Sequence, residues 1–172
     1  MEFTEVLNPK TIRTHLNVNT KAEALEAMAE MLLEAGNVND KELYIKDVYE
    51  REAFGETGVG NYIAIPHGKS KSVVKPGVAI ATLDHEIEWE SLDDTGAKIV
   101  ILFAVGADDE AAMEHLKLLA MFSKRLGDDT VIKRLLEADS EAEVMNAFTE
   151  SEEETEEDSE EADLDLDEIE IM

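Results

Sequence analysis

The chain contains no cysteine. That excludes a disulfide framework, a thiolate metal centre and a cysteine nucleophile, and it fits a reducing compartment. No stretch approaches the roughly 20 apolar residues that a membrane-spanning helix needs. The first residues, Met1-Glu2-Phe3-Thr4-Glu5, have neither the basic start nor the apolar run of a signal peptide. These absences predict a cytoplasmic protein with no direct membrane insertion. Basic residues are also scarce: 15 Lys and Arg stand against 42 Asp and Glu, a formal charge of −27. A surface of that sign repels nucleic acid and anionic lipid, whose binding rests on Lys and Arg. Thirteen of the acidic residues lie in 151–172, where there is no Lys or Arg, and the other 150 residues still carry −14. Such a load serves solubility or, more sharply, adaptation to high salt, where ions screen the self-repulsion of an acidic surface.

The apolar content is ordinary. With 44% hydrophobic residues over 172 positions, the chain can bury one substantial core but is short for two. Met1 to Asn19 reads as a short strand or turn before the first helix. Thr20-Lys21-Ala22-Glu23 has the pattern of a capping box. It opens an amphipathic run with Ala24, Leu25, Met28, Met31 and Leu32 on one face, ending near Gly36. Asn39-Asp40-Lys41-Glu42 starts a second helix carrying Leu43, Ile45, Val48 and Tyr49, which stops before Gly55, Gly58 and Gly60. Beyond the glycines the period changes. Residues 62–65 are a short apolar run closed by Pro66, and 78–83 and 99–105 are longer strands. The last is apolar throughout and therefore buried on both faces. Helices follow over about 108–126, stopped by Gly127, over 130–137, and from the Ser140-Glu141-Ala142-Glu143 cap to Phe148. The reading is a single α/β domain over residues 1–150, a mixed β-sheet flanked by helices on both faces. Residues 151–172 are set apart as an acidic, disordered tail, because 151–161 hold only acid and hydroxyl side chains and bury too little to offset ordering entropy. The alternation of apolar and acidic residues over 163–171 leaves a docking segment or a linker as alternatives.

The densest chemical signal lies between Gly55 and Lys69. A glycine-rich stretch leads into the short strand, Pro66 ends it, and His67 follows at once with Gly68 on its far side. His67 is thereby expected at a strand end with open backbone around it, where α/β sheets commonly place reacting groups. The glycines are expected to leave backbone N–H groups free for an anion. Gly68-Lys69-Ser70 has the ending of a Walker loop, but the required earlier glycine falls on Ile63. The loop also precedes a strand instead of joining a strand to a helix, which excludes a dinucleotide fingerprint. Imidazole is a competent nucleophile near neutral pH, with an unperturbed pKa of about 6.5.

In order and spacing, Arg51-Glu52, Gly58-Val59-Gly60-Asn61, Ile65-Pro66-His67-Gly68-Lys69 and His115-Leu116-Lys117-Leu118-Leu119-Ala120 resemble the enzyme IIA domain of the fructose–mannitol class of the bacterial sugar phosphotransferase system. The resemblance extends over most of residues 3–149. It implies that His67 accepts phosphate on Nε2 from the phosphocarrier protein HPr and donates it to a cognate enzyme IIB for uptake of a sugar, fructose being the commonest in the family. It implies too that Arg51 and His115 line the site. Phosphoryl transfer asks mainly for positioning and charge stabilisation, which Arg51 supplies through paired donors and a neutral His115 through one hydrogen bond. No cofactor and no metal is called for. The same resemblance admits a regulatory enzyme IIA of the nitrogen-related type, whose phosphorylation state controls a partner protein.

Taken alone, the residues keep blander readings open. His115 shares a helical stripe with Ala112, Leu119, Phe122 and Leu126 and could be a core histidine, and Arg51 could pair with Asp47 one turn earlier. Thr57 and Asn61 either bond the phosphate or shape the turn, and Lys69 is an electrostatic candidate. His15 reads as surface, and His85, within Asp84-His85-Glu86, as a turn after the strand. A His67–His115 metal site lacks an identifiable carboxylate ligand. Trp89 and the methionines read as core. In a third class of reading the chain is an acidic structural protein and His67 is inert. If the charge is an adaptation to salt, circular dichroism will show the chain unfolding on dialysis from molar salt into dilute buffer. A fold fully retained there assigns the charge to solubility.

Overall fold

The computed structural model describes residues 3, 7–91 and 93–149; the tail expected over 151–172 lies outside the described residues. Strands β1 (Ile12–Leu16), β2 (Gly58–Gly60), β3 (Ile63–Ala64), β4 (His67–Lys69), β5 (Gly77–Ile87) and β6 (Ala97–Val105) form one sheet. Its order is β1-β5-β6-β3-β2, with β4 also laid on β6. β5 and β6 are antiparallel, as are β2 and β3, whereas β1 runs parallel to β5 and both β3 and β4 run parallel to β6. Helices α1 (Lys21–Glu34) and α2 (Lys41–Glu52) pack on one face; α3 (Asp109–Leu126), α4 (Asp129–Glu137) and α5 (141–149) pack on the other. The mixed sheet with helices on both faces is therefore as the sequence predicts.

The helices begin where side chains can satisfy the free N–H groups of a first turn. Thr20, Asp40, Asp108 and Asp128 accept from the amides of Glu23, Leu43, Ala111 and Thr130, and Ser140 accepts from Glu143. The box at Thr20 closes one residue early, with the Glu23 carboxylate accepting from the amide of Asn19. The two-residue period of the central strands then sorts the core. Val78, Ile80, Ile99, Ile101, Phe103 and Val105 meet α3, α4 and α5, while Ala79, Ala81, Val100, Leu102 and Ala104 meet α1 and α2. β6 is buried on both faces, as its unbroken apolar run requires.

Three local expectations are corrected. The short strand does end ahead of Pro66, but His67 is not left beyond a strand end: Pro66 separates two strands that share β6, its carbonyl accepts from the amide of Phe103 (3.1 Å), and pairing resumes at His67 itself. The glycine stretch is not an open loop either. Gly58 donates its N–H to the Glu90 carbonyl (3.0 Å) and Asn61 donates to the Asp93 carboxylate (3.1 Å), which occupies amides expected to be free for an anion. Gly58 serves close approach: a Cβ there would overlap Ser91 and the Glu90 carbonyl. His85 lies within β5, not in a turn, because the strand runs on past three exposed residues to the buried Ile87, paired with Ala97.

One packing detail places the site. α2 rests on β4, and a Cβ at Gly68 would sit 2.7 Å from Val48 Cγ2 and 2.9 Å from the Val48 amide nitrogen. One turn further along the helix is Arg51. The buried Tyr44 of the same helix donates its hydroxyl to the Phe103 carbonyl (2.6 Å), tying α2 to β6. Gly68→Ala is therefore expected to push α2 off the strand and destabilise the chain by about 1–3 kcal/mol, read as a lower denaturation midpoint. Adding Val48→Ala will not restore stability, because the backbone nitrogen remains in the way.

Candidate functional site

His67 opens β4 opposite Phe103 and is partly buried. Arg51 donates from Nε to His67 Nε2 at 3.1 Å and from Nη1 to the Gly55 carbonyl at 3.1 Å, so its guanidinium faces the histidine and not Asp47. A guanidinium can only donate. His67 Nε2 is thus an acceptor with an in-plane lone pair, and the ring proton of the neutral form is on Nδ1, which donates to the Ile65 carbonyl at 3.3 Å. The sheet holds the ring from one side and α2 aims a cation at its free nitrogen from the other.

His115 comes from α3. Its ring centroid lies 4.8 Å from that of His67 and 5.4 Å from that of Phe103, edge on. The buried stripe of α3 runs through Leu118, Phe122, Arg125 and Leu126, with Ala112 and Leu119 only partly covered, so His115 stands at the end of that stripe, facing the site. Both ring nitrogens are buried and neither has a hydrogen-bond partner among the described residues.

Burial lowers the pKa of both histidines. For His67 desolvation is the largest cause; the Ile65 carbonyl opposes it, Arg51 adds to it and Glu52 opposes it. For His115 burial, followed by His67 and Arg51, lowers the value to about 4. Both rings are neutral near pH 7.

Beside Arg51 in sequence stands Glu52, part of the quoted motif but given no role from the sequence. The Glu52 side chain is only 8% exposed and ion-paired to Lys21 Nζ at 2.8 Å; it accepts from the Thr57 hydroxyl at 2.7 Å. That hydroxyl in turn accepts from Trp89 Nε1 at 3.1 Å. Thr57 is thus a buried structural link, which is the turn-shaping alternative of the two offered for it. Asn61 is remote: β3 begins opposite Ile99 and His67 lies opposite Phe103, four residues or about 13 Å along β6, and Asn61 lies before β3. It has a positive φ of 55° and shapes the turn. Lys69 shares a strand face with His67 and is exposed. His15 is exposed as expected, though in β1, and bonds Asp139 at 2.6 Å. Trp89 is buried. A cleft of about 680 Å³ lies elsewhere, between Lys21, Trp89 and Glu90. Among the described residues no helix is long and apolar enough to cross a membrane.

A histidine with an unprotonated Nε2, an arginine directed at it and a second neutral histidine against it form a centre able to take and release an anionic group. Comparison with known proteins gives the family. The family described as Phosphoenolpyruvate-dependent sugar phosphotransferase system, EIIA 2, matches residues 5–151. A fructose-specific EIIABC component of Bacillus subtilis is 33% identical over 150 residues, which is 87% of this chain and 23% of that relative; the chain thus spans about a quarter of its length. A fructose-specific EIIA component of Haloferax volcanii is 35% identical, over 76% of this chain and 84% of its own. A nitrogen regulatory protein of Bradyrhizobium diazoefficiens is 34% identical, over 78% and 86%. Among solved structures, the complex of enzyme IIAMTL with phosphorylated enzyme IIBMTL from Escherichia coli matches with a TM-score of 0.71 and 27% identity, covering 83% of this chain and 96% of that one. The chain belongs to the EIIA 2 family of the phosphoenolpyruvate-dependent sugar phosphotransferase system.

Proposed function

We propose that the chain is a phosphocarrier that accepts a phosphoryl group on His67 Nε2 from phospho-HPr and passes it to a cognate enzyme IIB of a sugar permease, fructose being the favoured sugar. The observation that carries this reading is the 3.1 Å bond from Arg51 Nε to His67 Nε2: it leaves the nucleophilic lone pair unprotonated and sets a cation where the transferred charge would arrive. In the transfer, the donor's N–P bond breaks with its electron pair returning to the donor ring, and a new bond forms from His67 Nε2 to phosphorus. The proton on Nδ1 stays in place against the Ile65 carbonyl, so no base is needed. As phosphorus approaches, Arg51 exchanges its bond to Nε2 for the non-bridging oxygens. His115 donates one ring N–H to the same group. The carrier domain occupies residues 1–150, with the acidic segment 151–172 outside it.

A second reading, a regulatory enzyme IIA whose phosphorylation state controls a partner, is supported by the 34% identity to a nitrogen regulatory protein. The two differ in the last acceptor: a sugar carrier passes its label to a fructose-specific enzyme IIB, and a regulator does not.

Incubation with phosphoenolpyruvate, enzyme I and HPr is expected to add one phosphoryl group, mapped by mass spectrometry to His67. Labelling that persists in His67→Gln would sink the assignment. His115→Gln is expected to keep the acceptor but slow transfer by about 10²-fold, the usual effect of removing one donor to developing charge. Proton and nitrogen NMR should find neutral His67 protonated on Nδ1, with a midpoint below the ordinary 6.5, and His115 titrating near 4. Between those values the folded chain binds fewer protons than the unfolded one, so stability falls as pH is lowered through that window. His115→Gln should flatten the slope.

A further inference from the structure

We infer that Glu52 is a positioning residue for the transfer: its carboxylate holds both hydrogen-bond partners of His67 in place, and its charge keeps the group on phospho-His67 easy to give up. The inference rests on the reading of His67 as phosphoryl acceptor. Among the described residues no hydrogen bond joins Glu52 to His67, so it acts through the turn that follows α2. The Thr57 hydroxyl donates to the Glu52 carboxylate at 2.7 Å, and the Thr57 carbonyl accepts from the Ile65 amide at 2.9 Å. The Ile65 carbonyl is the acceptor for His67 Nδ1. Within the turn, the amides of Phe54 and Gly55 donate to the carbonyls of Arg51 (3.0 Å) and Glu52 (3.2 Å), and the Gly55 carbonyl accepts from Arg51 Nη1. One carboxylate thus closes a turn that steadies Arg51 on one side and Ile65 on the other.

A structural role alone does not account for a charge at this place. Glu52 is the last residue of α2, where the negative end of the helix dipole disfavours an acid. Its side chain is also largely withdrawn from water, which an ionised group resists unless it is paired. Lys21 supplies the pairing but is shared with Glu90 at 2.9 Å, so the three side chains together keep one net negative charge. Desolvation and the Ile65 carbonyl weigh most on the His67 ring; of the two charges that act on it, Arg51 lowers its pKa and Glu52 raises it. Glu52 is therefore felt at the reacting ring as a charge opposed to Arg51.

That opposition matters once the phosphoryl group is on Nε2. The group brings close to two negative charges into a partly dried site, where repulsion between charges is stronger than in water. With Arg51 alone the loaded state would be held too well, and stabilising it lowers its tendency to pass the group on. Glu52 raises the energy of phospho-His67 relative to the free carrier. In onward transfer the Nε2–P bond breaks with its electron pair returning to Nε2, and the acceptor's nucleophile forms the new bond to phosphorus. The neutral ring with its Nδ1 proton is regenerated, and that is the state Glu52 favours.

Two quantities are measured on the full chain, in salt that keeps it folded: the equilibrium constant of phosphoryl exchange with purified HPr, and the kcat and KM of transfer from phospho-HPr. Glu52→Gln keeps the reach and an acceptor for Thr57 but removes the charge. It is expected to shift the equilibrium about 10-fold toward the phosphorylated chain and to lower the NMR midpoint of His67, because Glu52 raises it. Glu52→Asp keeps the charge but is one methylene too short for the clamp. It is expected to lower kcat about 10-fold with KM and equilibrium as in the parent. Lys21→Met combined with Glu52→Gln leaves no buried ion unpaired, since Glu90 is 70% exposed; it should repeat the equilibrium shift and replaces the single variant if that one does not fold. An equilibrium unchanged in a folded chargeless variant overturns the inference, as does an Asp variant with the kcat of the parent; in either case a parent labelled at His67 leaves the relay standing. A parent that phospho-HPr does not label at His67 overturns the relay reading and this inference with it.

Discussion

The arrangement around His67 depends on Phe103, fully buried in β6. Its amide donates to the Pro66 carbonyl and so sets the start of β4. Its carbonyl accepts from the Tyr44 hydroxyl and so ties α2 to the sheet. Its ring meets His115 and Phe122 edge on and so seats α3. The three elements that deliver His67, Arg51 and His115 are thus referred to one residue, and a buried strand is the part of a fold least free to shift. The site can be held to hydrogen-bond tolerance although its members lie 64 positions apart in sequence, from Arg51 to His115.

The same burial sets the electrostatics. A sheet edge, a helix and a second histidine remove water from both rings, which disfavours the charged imidazolium, and Arg51 discourages it further. The neutral state needed for a nucleophilic nitrogen therefore follows from packing and from one fixed cation. Glu52 moderates the effect. It is buried next to Arg51 in sequence, satisfied by Lys21 and Thr57, and it pulls the His67 pKa back toward its ordinary value. A buried carboxylate with both a cation and a hydroxyl is stable where an unpaired one would not be.

Much of the fold was legible because its signals are local. The helix starts at Thr20, Asp40, Asp108 and Ser140 are side-chain-to-amide contacts within three residues, and the apolar run of β6 states its burial outright. The misreadings share a cause. Pairing looked finished at Pro66 because a proline cannot donate, yet its carbonyl accepts from a strand absent from the local window and a second strand opens at His67. The amides of Gly58 and Asn61 looked free because Glu90 and Asp93 lie some thirty residues away. His85 looked like a turn because Asp84-His85-Glu86 is polar, whereas the strand pairs again, after a shift of register, at the buried Ile87 beyond it. For the site, the motif segments brought forward His67, Arg51 and His115, but Thr57 and Asn61 were equivocal because their partners, Glu52, Trp89 and Asp93, are visible only in three dimensions.

By itself the sequence determined the class of chain: one mixed α/β domain with an acidic surface, a histidine framed by proline and glycine, and an order of motifs that marks the family. These follow from periodicity, composition and spacing, which are properties of the chain before it folds. Only the tertiary structure decided which nitrogen of His67 is free, that Arg51 turns to it and not to Asp47, and that His115 faces it from α3. Those are matters of direction and of water exclusion, and they arise when β6, α2 and α3 are packed together, with Gly68 giving up a side chain so that the helix can come close enough.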